Sequence, residues 1–245
     1  MGREALDPLI SDLAAQVRRE GEAIGLPLVA ACADISSARP VAFSDGMPIA
    51  AFFDFTEVGK SYWTQGDLAV RNAIVAIARW TAEPFYYDRG TISGWRPLDI
   101  DPALLRQADE VSFDVKSAII CPIHLPGSVI GAVIWATDQD GCDVSGVFDR
   151  QAAALHILAL RFIAACDHAA HGQKRIISYR LTRREIQCLK LAAAGKTDSE
   201  IATILGVSAP TVRFHLKRAG IKLGETGRLR TVQHAAALGY VRVRP

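Results

Sequence analysis

Two helix-start signals stand back to back near the C-terminus, and they constrain this chain more than any other feature. Thr182 precedes Glu185 by three residues. At that spacing the threonine hydroxyl accepts the N3 amide while the glutamate accepts the N-cap amide, forming a reciprocal capping box. Leu181 and Ile186 flank it at the positions of a hydrophobic staple. The helix that follows is expected to turn Ile186, Leu189 and Ala193 inward and to stop at Gly195, where a left-handed cap fits. Thr197 and Glu200 repeat the box at once, with Ile201 and Leu205 facing inward and Gly206 as the stop. Ser208 caps a third helix that tolerates Pro210 in its first turn, and Val207 can staple onto Val212. Val212, Leu216, Ala219 and Leu223 recur at i, i+4, i+7 and i+11, which makes one buried stripe. A fourth helix is expected over 227–238, with Thr226 as its cap and Gly239 after it.

Helices two and three are separated only by the residues around Gly206-Val207-Ser208, the helix-turn-helix arrangement. In that arrangement the second helix of the pair enters the major groove of DNA, and its N-terminal half reads base edges. With Val212 and Leu216 inward, Arg213, Phe214 and Lys217 face outward. Arg213 suits bidentate hydrogen bonds to guanine, Phe214 suits a thymine methyl, and Lys217 can reach a base or a phosphate. Lys196, Thr211, Arg218 and Lys222 are expected at phosphates, which set affinity and salt dependence but not sequence preference. His215, beside the core stripe, is expected to pack rather than read.

Charge agrees with this assignment. The whole chain is near neutral at +2, but residues 174–245 hold 15 Lys+Arg against 4 Asp+Glu, a net of +11. Residues 1–173 hold 13 against 22, a net of −9. A basic third on an acidic body is a footprint for a polyanion such as double-stranded DNA.

The N-terminal body alternates helical and strand-like patterns. Residues 5–24 read as an amphipathic helix with Leu6, Leu9, Leu13 and Val17 at helical spacing, and 60–82 as a second, with Leu68, Ala69, Ile74, Ile77 and Trp80 on its apolar face. Segments 27–34, 39–43, 116–124 and 128–137 read as strands, the last two joined by a turn at Leu125-Pro126-Gly127. Residues 147–167 form a long helix that is apolar on more than one face. The expected fold class is α+β: an N-terminal α/β/α sandwich with a mainly antiparallel sheet over residues 1–167, a polar linker over 168–180, and an all-α tetrahelical domain over 181–245.

Other chemistry fits poorly. The five cysteines are scattered, with no C-x-x-C pair, as expected of reduced thiols in the cytoplasm. Neither a secretory leader nor a membrane span is expected from the apolar runs. Cys121 and His124 would lie on opposite faces of a strand, so they make no dyad. Asp138, Asp140 and Asp143 resemble a calcium loop, but Gly141 comes too early and the closing glutamate is absent. There is no G-x-S-x-G, P-loop or H-E-x-x-H. No catalytic residue, metal site or resident cofactor is expected.

The stretch LTRREIQCLKLAAAGKTDSEIATILGVSAPTVRFHLKRAGIKL, residues 181–223 and continuing to Gly239, resembles the LuxR/GerE family of DNA-binding domains. The resemblance implies a four-helix domain that binds a roughly palindromic site as a homodimer, with base contacts at Arg213, Phe214 and Lys217. One departure is Gly220, where the family has a bulkier residue; it is expected to loosen the reading helix's last turn. The N-terminal body resembles the autoinducer-binding domain of the family's quorum-sensing branch. That implies an acyl-homoserine-lactone-like signal held near Asp67, Trp63, Trp80 and Tyr87. Here Asp67 is followed by Leu68 rather than proline, Tyr87 stands where a tryptophan is expected, and Ala118 replaces a glycine. The alternative is a ligand-independent regulator whose N-terminal domain only dimerises or binds a protein partner.

Overall fold

The computed structural model describes residues 7–35, 53, 73–105, 115–172 and 178–242. The main division of the chain into two compact units falls between Lys174 and Arg175.

Among the described residues the first unit is built on a five-stranded sheet. Its strands are β1 (Leu28–Cys32), β2 (Phe85–Asp88), β3 (Thr91–Gly94), β4 (Ser117–Leu125) and β5 (Val129–Thr137). They lie in the order β1-β5-β4-β2-β3, every neighbour antiparallel, as the sequence pattern led us to expect. Alternation along the strands sends side chains to two cores. Val29, Ile119, Cys121, Ile123, Val133 and Trp135 pack beneath α1 (Asp7–Ala23) and α3 (Val144–His171). Phe85, Tyr87, Ala118, Ile120 and Ala136 face the other way, onto Ile77 of α2 (Ala73–Trp80). Trp135 is fully buried, and its Nε1 donates to the Val17 carbonyl of α1 at 2.8 Å.

Several expectations shift in detail. The buried stripe of α1 is Ile10, Leu13, Ala14 and Val17; Leu9 is exposed, and Leu6 lies outside the described residues. The segment 39–43, residues 60–72 and Leu68 and Ala69 with them also lie outside. The loop between β4 and β5 is Pro126-Gly127-Ser128, one residue later than expected, with Gly127 and Ser128 both at positive φ. The pairing of β2 with β3 is unforeseen. It turns on Arg89-Gly90, both left-handed (φ 43° and 85°), a two-residue hairpin loop that twists with its strands. The Asp-Arg-Gly between two short β-prone runs carried that signal.

Helix α3 starts earlier and ends later than the apolar pattern suggested, so the linker starts after His171 rather than at His168. Asp143, one of the three aspartates weighed as a calcium loop, is its N-cap and accepts the Gly146 amide at 2.9 Å. Among the described residues no cluster of His, Cys, Asp or Glu could hold a metal ion. Helix α3 is also long and apolar enough to cross a membrane, but half of its apolar window is buried within the unit, in the manner of a core helix. Cys121 and Cys166 are packed in that core; burial pushes both thiols up, Cys166 to about 12, which makes them poor nucleophiles.

Among its described residues the second unit holds four helices: α4 (Arg183–Ala193), α5 (Asp198–Leu205), α6 (Ala209–Leu223) and α7 (Arg228–Ala237). Val212, Leu216, Ala219 and Leu223 are buried together, joined by Cys188, Leu189, Ala192, Ile201 and Val232. On α4 the inward face is Glu185, Cys188, Leu189 and Ala192, while Ile186 and Ala193 sit at its margin. The stripe is rotated by about one residue because a carboxylate, not an isoleucine, occupies the innermost first-turn position.

Candidate nucleic-acid interface

Both capping boxes form. Thr182 accepts the Glu185 amide at 3.3 Å while Glu185 accepts the Thr182 amide at 2.7 Å. Thr197 and Glu200 repeat the exchange at the same distances. These hydrogen bonds hold the Glu200 carboxyl below its ordinary range, the bond from the Thr197 amide contributing most. Ser208 caps α6, accepting the Thr211 amide at 3.3 Å and pairing with its hydroxyl at 2.8 Å. Gly206 ends α5 at φ 65°, ψ 39°, where a side chain would be strained, and the Val207 amide reaches back to the Ala202 carbonyl. That cap sets the sharp turn from which α6 departs. The expected cap at Thr226 does not form: Gly227 takes the N-cap position of α7 with no side-chain hydrogen bond.

The outer face of α6 is the candidate reading surface. Arg213, Phe214, Lys217 and Arg218 are all exposed, Phe214 to 58% despite its apolar character. Neither Arg213 nor Lys217 makes an ion pair among the described residues. The Arg218 guanidinium lies over the Phe214 ring, 5.9 Å from its centroid. That distance allows a cation–π contact, so two outward residues are held as one unit. His215 is half-buried and sets its ring edgewise to Phe214 at 5.6 Å.

The phosphate candidates divide. Lys196 stays half-exposed, 3.6 Å from Glu200, and Arg218 is open to solvent. Thr211 spends its hydroxyl on Ser208. Lys222, expected at a phosphate, is engaged within the domain. Its Nζ donates to Glu185 Oε2 at 2.7 Å and to the Arg180 carbonyl at 3.0 Å, inside the domain. Arg228, unsuspected from sequence, binds the Asp198 carboxylate and the Lys196 carbonyl, tying the start of α7 to the start of α5.

Glu185 is 3% exposed. Burial alone would raise its pKa, but hydrogen bonds from Lys222 and Thr182, with the charge of Lys222, outweigh that and hold the carboxyl below its ordinary value of 4.5. A carboxyl lowered on folding adds stability that is present in full above its unfolded pKa and is lost as pH falls through the lowered value. The melting temperature of this unit should therefore drop as pH falls below about 4.5. Glu185→Gln should flatten that part of the profile, as measured by circular dichroism from pH 6 to pH 3 against the parent.

Gly220 does not loosen the reading helix, which runs unbroken to Leu223. A Cβ there would stand 2.9 Å from both the Glu225 carbonyl and the Thr231 hydroxyl. The absent side chain is what lets α7 approach. Gly220→Ala gains about 1 kcal/mol of helix propensity. The overlap with backbone and a β-branched neighbour costs about 1–3 kcal/mol. A net loss of stability is expected in urea titration.

Of the ligand candidates, Tyr87 is buried on the α2 side of the sheet beside Ala118 and Ile120, whereas Trp80 ends α2 with 85% of its surface exposed. The two do not converge. Asp67 and Trp63 lie outside the described residues.

Comparison with known proteins turns on the second unit. Residues 179–235 match the family described as bacterial regulatory proteins, luxR family. The C-terminal unit is a luxR-family domain. Similar proteins include the transcriptional activator protein VanR of Vibrio anguillarum, 49% identical over 135 residues and covering 52% of each chain. Another is the HTH-type quorum sensing-dependent transcriptional regulator VjbR of Brucella ovis, 48% identical over 162 residues, 64% of this chain and 62% of the relative. The chain thus spans between half and two thirds of the length of these curated relatives. Among solved structures, Escherichia coli SdiA resembles it with a TM-score of 0.51 at 16% identity, over 96% of this chain and 92% of SdiA. That likeness supports the same overall fold for the N-terminal sandwich and the luxR-family domain. The relatives are named as regulators, and the family is not one of enzymes.

Proposed function

We propose that this protein is a sequence-specific DNA-binding transcription regulator of the LuxR type. The observation that carries the reading is the outer face of α6: Arg213, Phe214 and Lys217 exposed together on a helix anchored by a buried stripe, in a luxR-family domain. Double-stranded DNA is the partner, and the cytoplasm is where such a partner is met.

The functional unit in this reading is a homodimer on a roughly palindromic site. Apolar side chains left open on or beside helices support it: Ile157 and Leu160 on α3, Leu229 on α7, and Leu238 at the C-cap of α7. Selection from a randomised duplex library, with sequencing of the bound fraction, tests the proposal. An enriched inverted repeat, bound with an affinity that falls steeply with salt, is the expected result. No enrichment over input would overturn it.

A small signal molecule, acyl-homoserine-lactone-like or of another class, is proposed to bind the N-terminal unit on the α2 side of the sheet, where Tyr87 and Ala118 pack in one cluster with Ile77. The exposure of Trp80 favours the second reading, in which this unit serves only dimerisation or a protein partner. Mass spectrometry of an extract from the denatured protein, together with thermal shift on adding acyl-homoserine lactones, separates the two. A co-purified molecule or a raised melting temperature supports the first, and neither supports the second.

A further inference from the structure

The Glu185–Lys222 pair has a geometry beyond that of a surface ion pair. Glu185 lies in the first turn of α4 and Lys222 in the last turn of α6, 37 residues later. A single carboxylate oxygen, Oε2, receives both the Thr182 amide and the Lys222 ammonium at 2.7 Å. The same ammonium donates to the carbonyl of Arg180, in the chain leading into α4. One residue earlier, the Tyr179 ring stands edgewise on His234 of α7, at 5.9 Å between centroids. His234 in turn lies 3.0 Å from Glu225, in the turn between α6 and α7. The entering chain is thus fixed at two points, both near the C-terminal end of the helix that carries the exposed readers.

A partly buried ion pair such as this one is a weak source of net stability, because withdrawing charge from water offsets much of the attraction. Its contribution here is geometric. Lysine in the last turn also faces the negative end of the α6 dipole, so its position along the helix is defined. We infer that Glu185 and Lys222 are positioning residues for DNA reading: they tie the chain that enters the domain to the last turn of α6, so that a shift of residues 179–180 moves Arg213, Phe214 and Lys217 relative to the groove. The inference rests on the DNA-binding reading above.

The test uses the full-length protein and the duplex enriched by selection. Lys222→Met is measured against the parent, at a temperature where circular dichroism shows both folded. The expected result is a loss of about tenfold or more in the ratio of selected to random duplex binding, the size of one lost base contact. The slope of log affinity against log salt should stay unchanged. Lys222→Arg, which keeps donors for Glu185 and Arg180, should restore most of the ratio. A slope shallower by about 0.9 with an unchanged ratio would instead make Lys222 a phosphate contact and overturn the inference. An unchanged ratio and slope would also overturn it, leaving a purely structural pair. If Lys222→Met does not fold, the paired variant Glu185→Met/Lys222→Leu removes both charges and is judged by the same outcomes. Failure of the DNA-binding reading itself would look different, because the parent would then select no duplex.

Discussion

Replacing Arg213 and Lys217 together with alanine should abolish the preference for the selected duplex over random DNA and leave the fold intact. Both side chains are exposed on α6 and neither is paired within the described residues. Surface changes of that kind alter stability by about 0.5 kcal/mol at most. Each good bidentate pairing with a base edge contributes about 1–3 kcal/mol of discrimination, so the double variant should lose on the order of a hundredfold or more. Weak, salt-sensitive binding to any duplex should remain, because Lys196, Arg218 and the other cations of the domain are untouched. Fluorescence anisotropy with both duplexes at two salt concentrations measures this. Full specific binding by a folded double variant would remove α6 from the role of reading helix.

The largest effect on stability is expected in the other unit, from Trp135→Ala. The indole is fully buried between β5 and α1, in the core shared with α3, and its N–H is satisfied by the Val17 carbonyl. Truncation removes that packing, leaves a cavity and loses the hydrogen bond to the Val17 carbonyl of α1. Large aromatic truncations of this kind cost about 3–5 kcal/mol, a large share of the stability of an ordinary domain. Trp135→Phe keeps most of the volume and loses the hydrogen bond, at about 1 kcal/mol. The urea midpoints of parent, Phe and Ala variants should fall in that order, and an alanine variant as stable as the parent would contradict the packing described.

The C-terminal unit was legible in the sequence because its instructions are local. Each capping threonine and its glutamate are three residues apart, and each stop glycine adjoins the helix it ends. What sequence missed there depends on partners distant in the chain. Lys222 looks like a free cation until α6 brings it to Glu185, and Arg228 until α7 brings it to Asp198. Gly220 reads as a weakness in a helix because Thr231, its reason, sits on another one. In the N-terminal unit the long strands β4 and β5 were visible from their apolar runs, whereas β2 and β3 are only four residues each, too short for a periodic signal. Trp80 follows helical spacing onto an apolar face, yet as the last residue of α2 it is left exposed.

The two edges of the sheet were made by very different journeys of the chain. On one edge, β2 and β3 meet across two residues; near the other, Leu28 must find Ala136, more than a hundred positions away. Long-range pairings slow a search, whereas self-punctuated helices such as α4 to α7 assemble from near neighbours. A chain diluted from denaturant would therefore regain helices α4 to α7 while its sheet was still open. The part proposed to recognise DNA sequence would be ready before the part proposed to govern it.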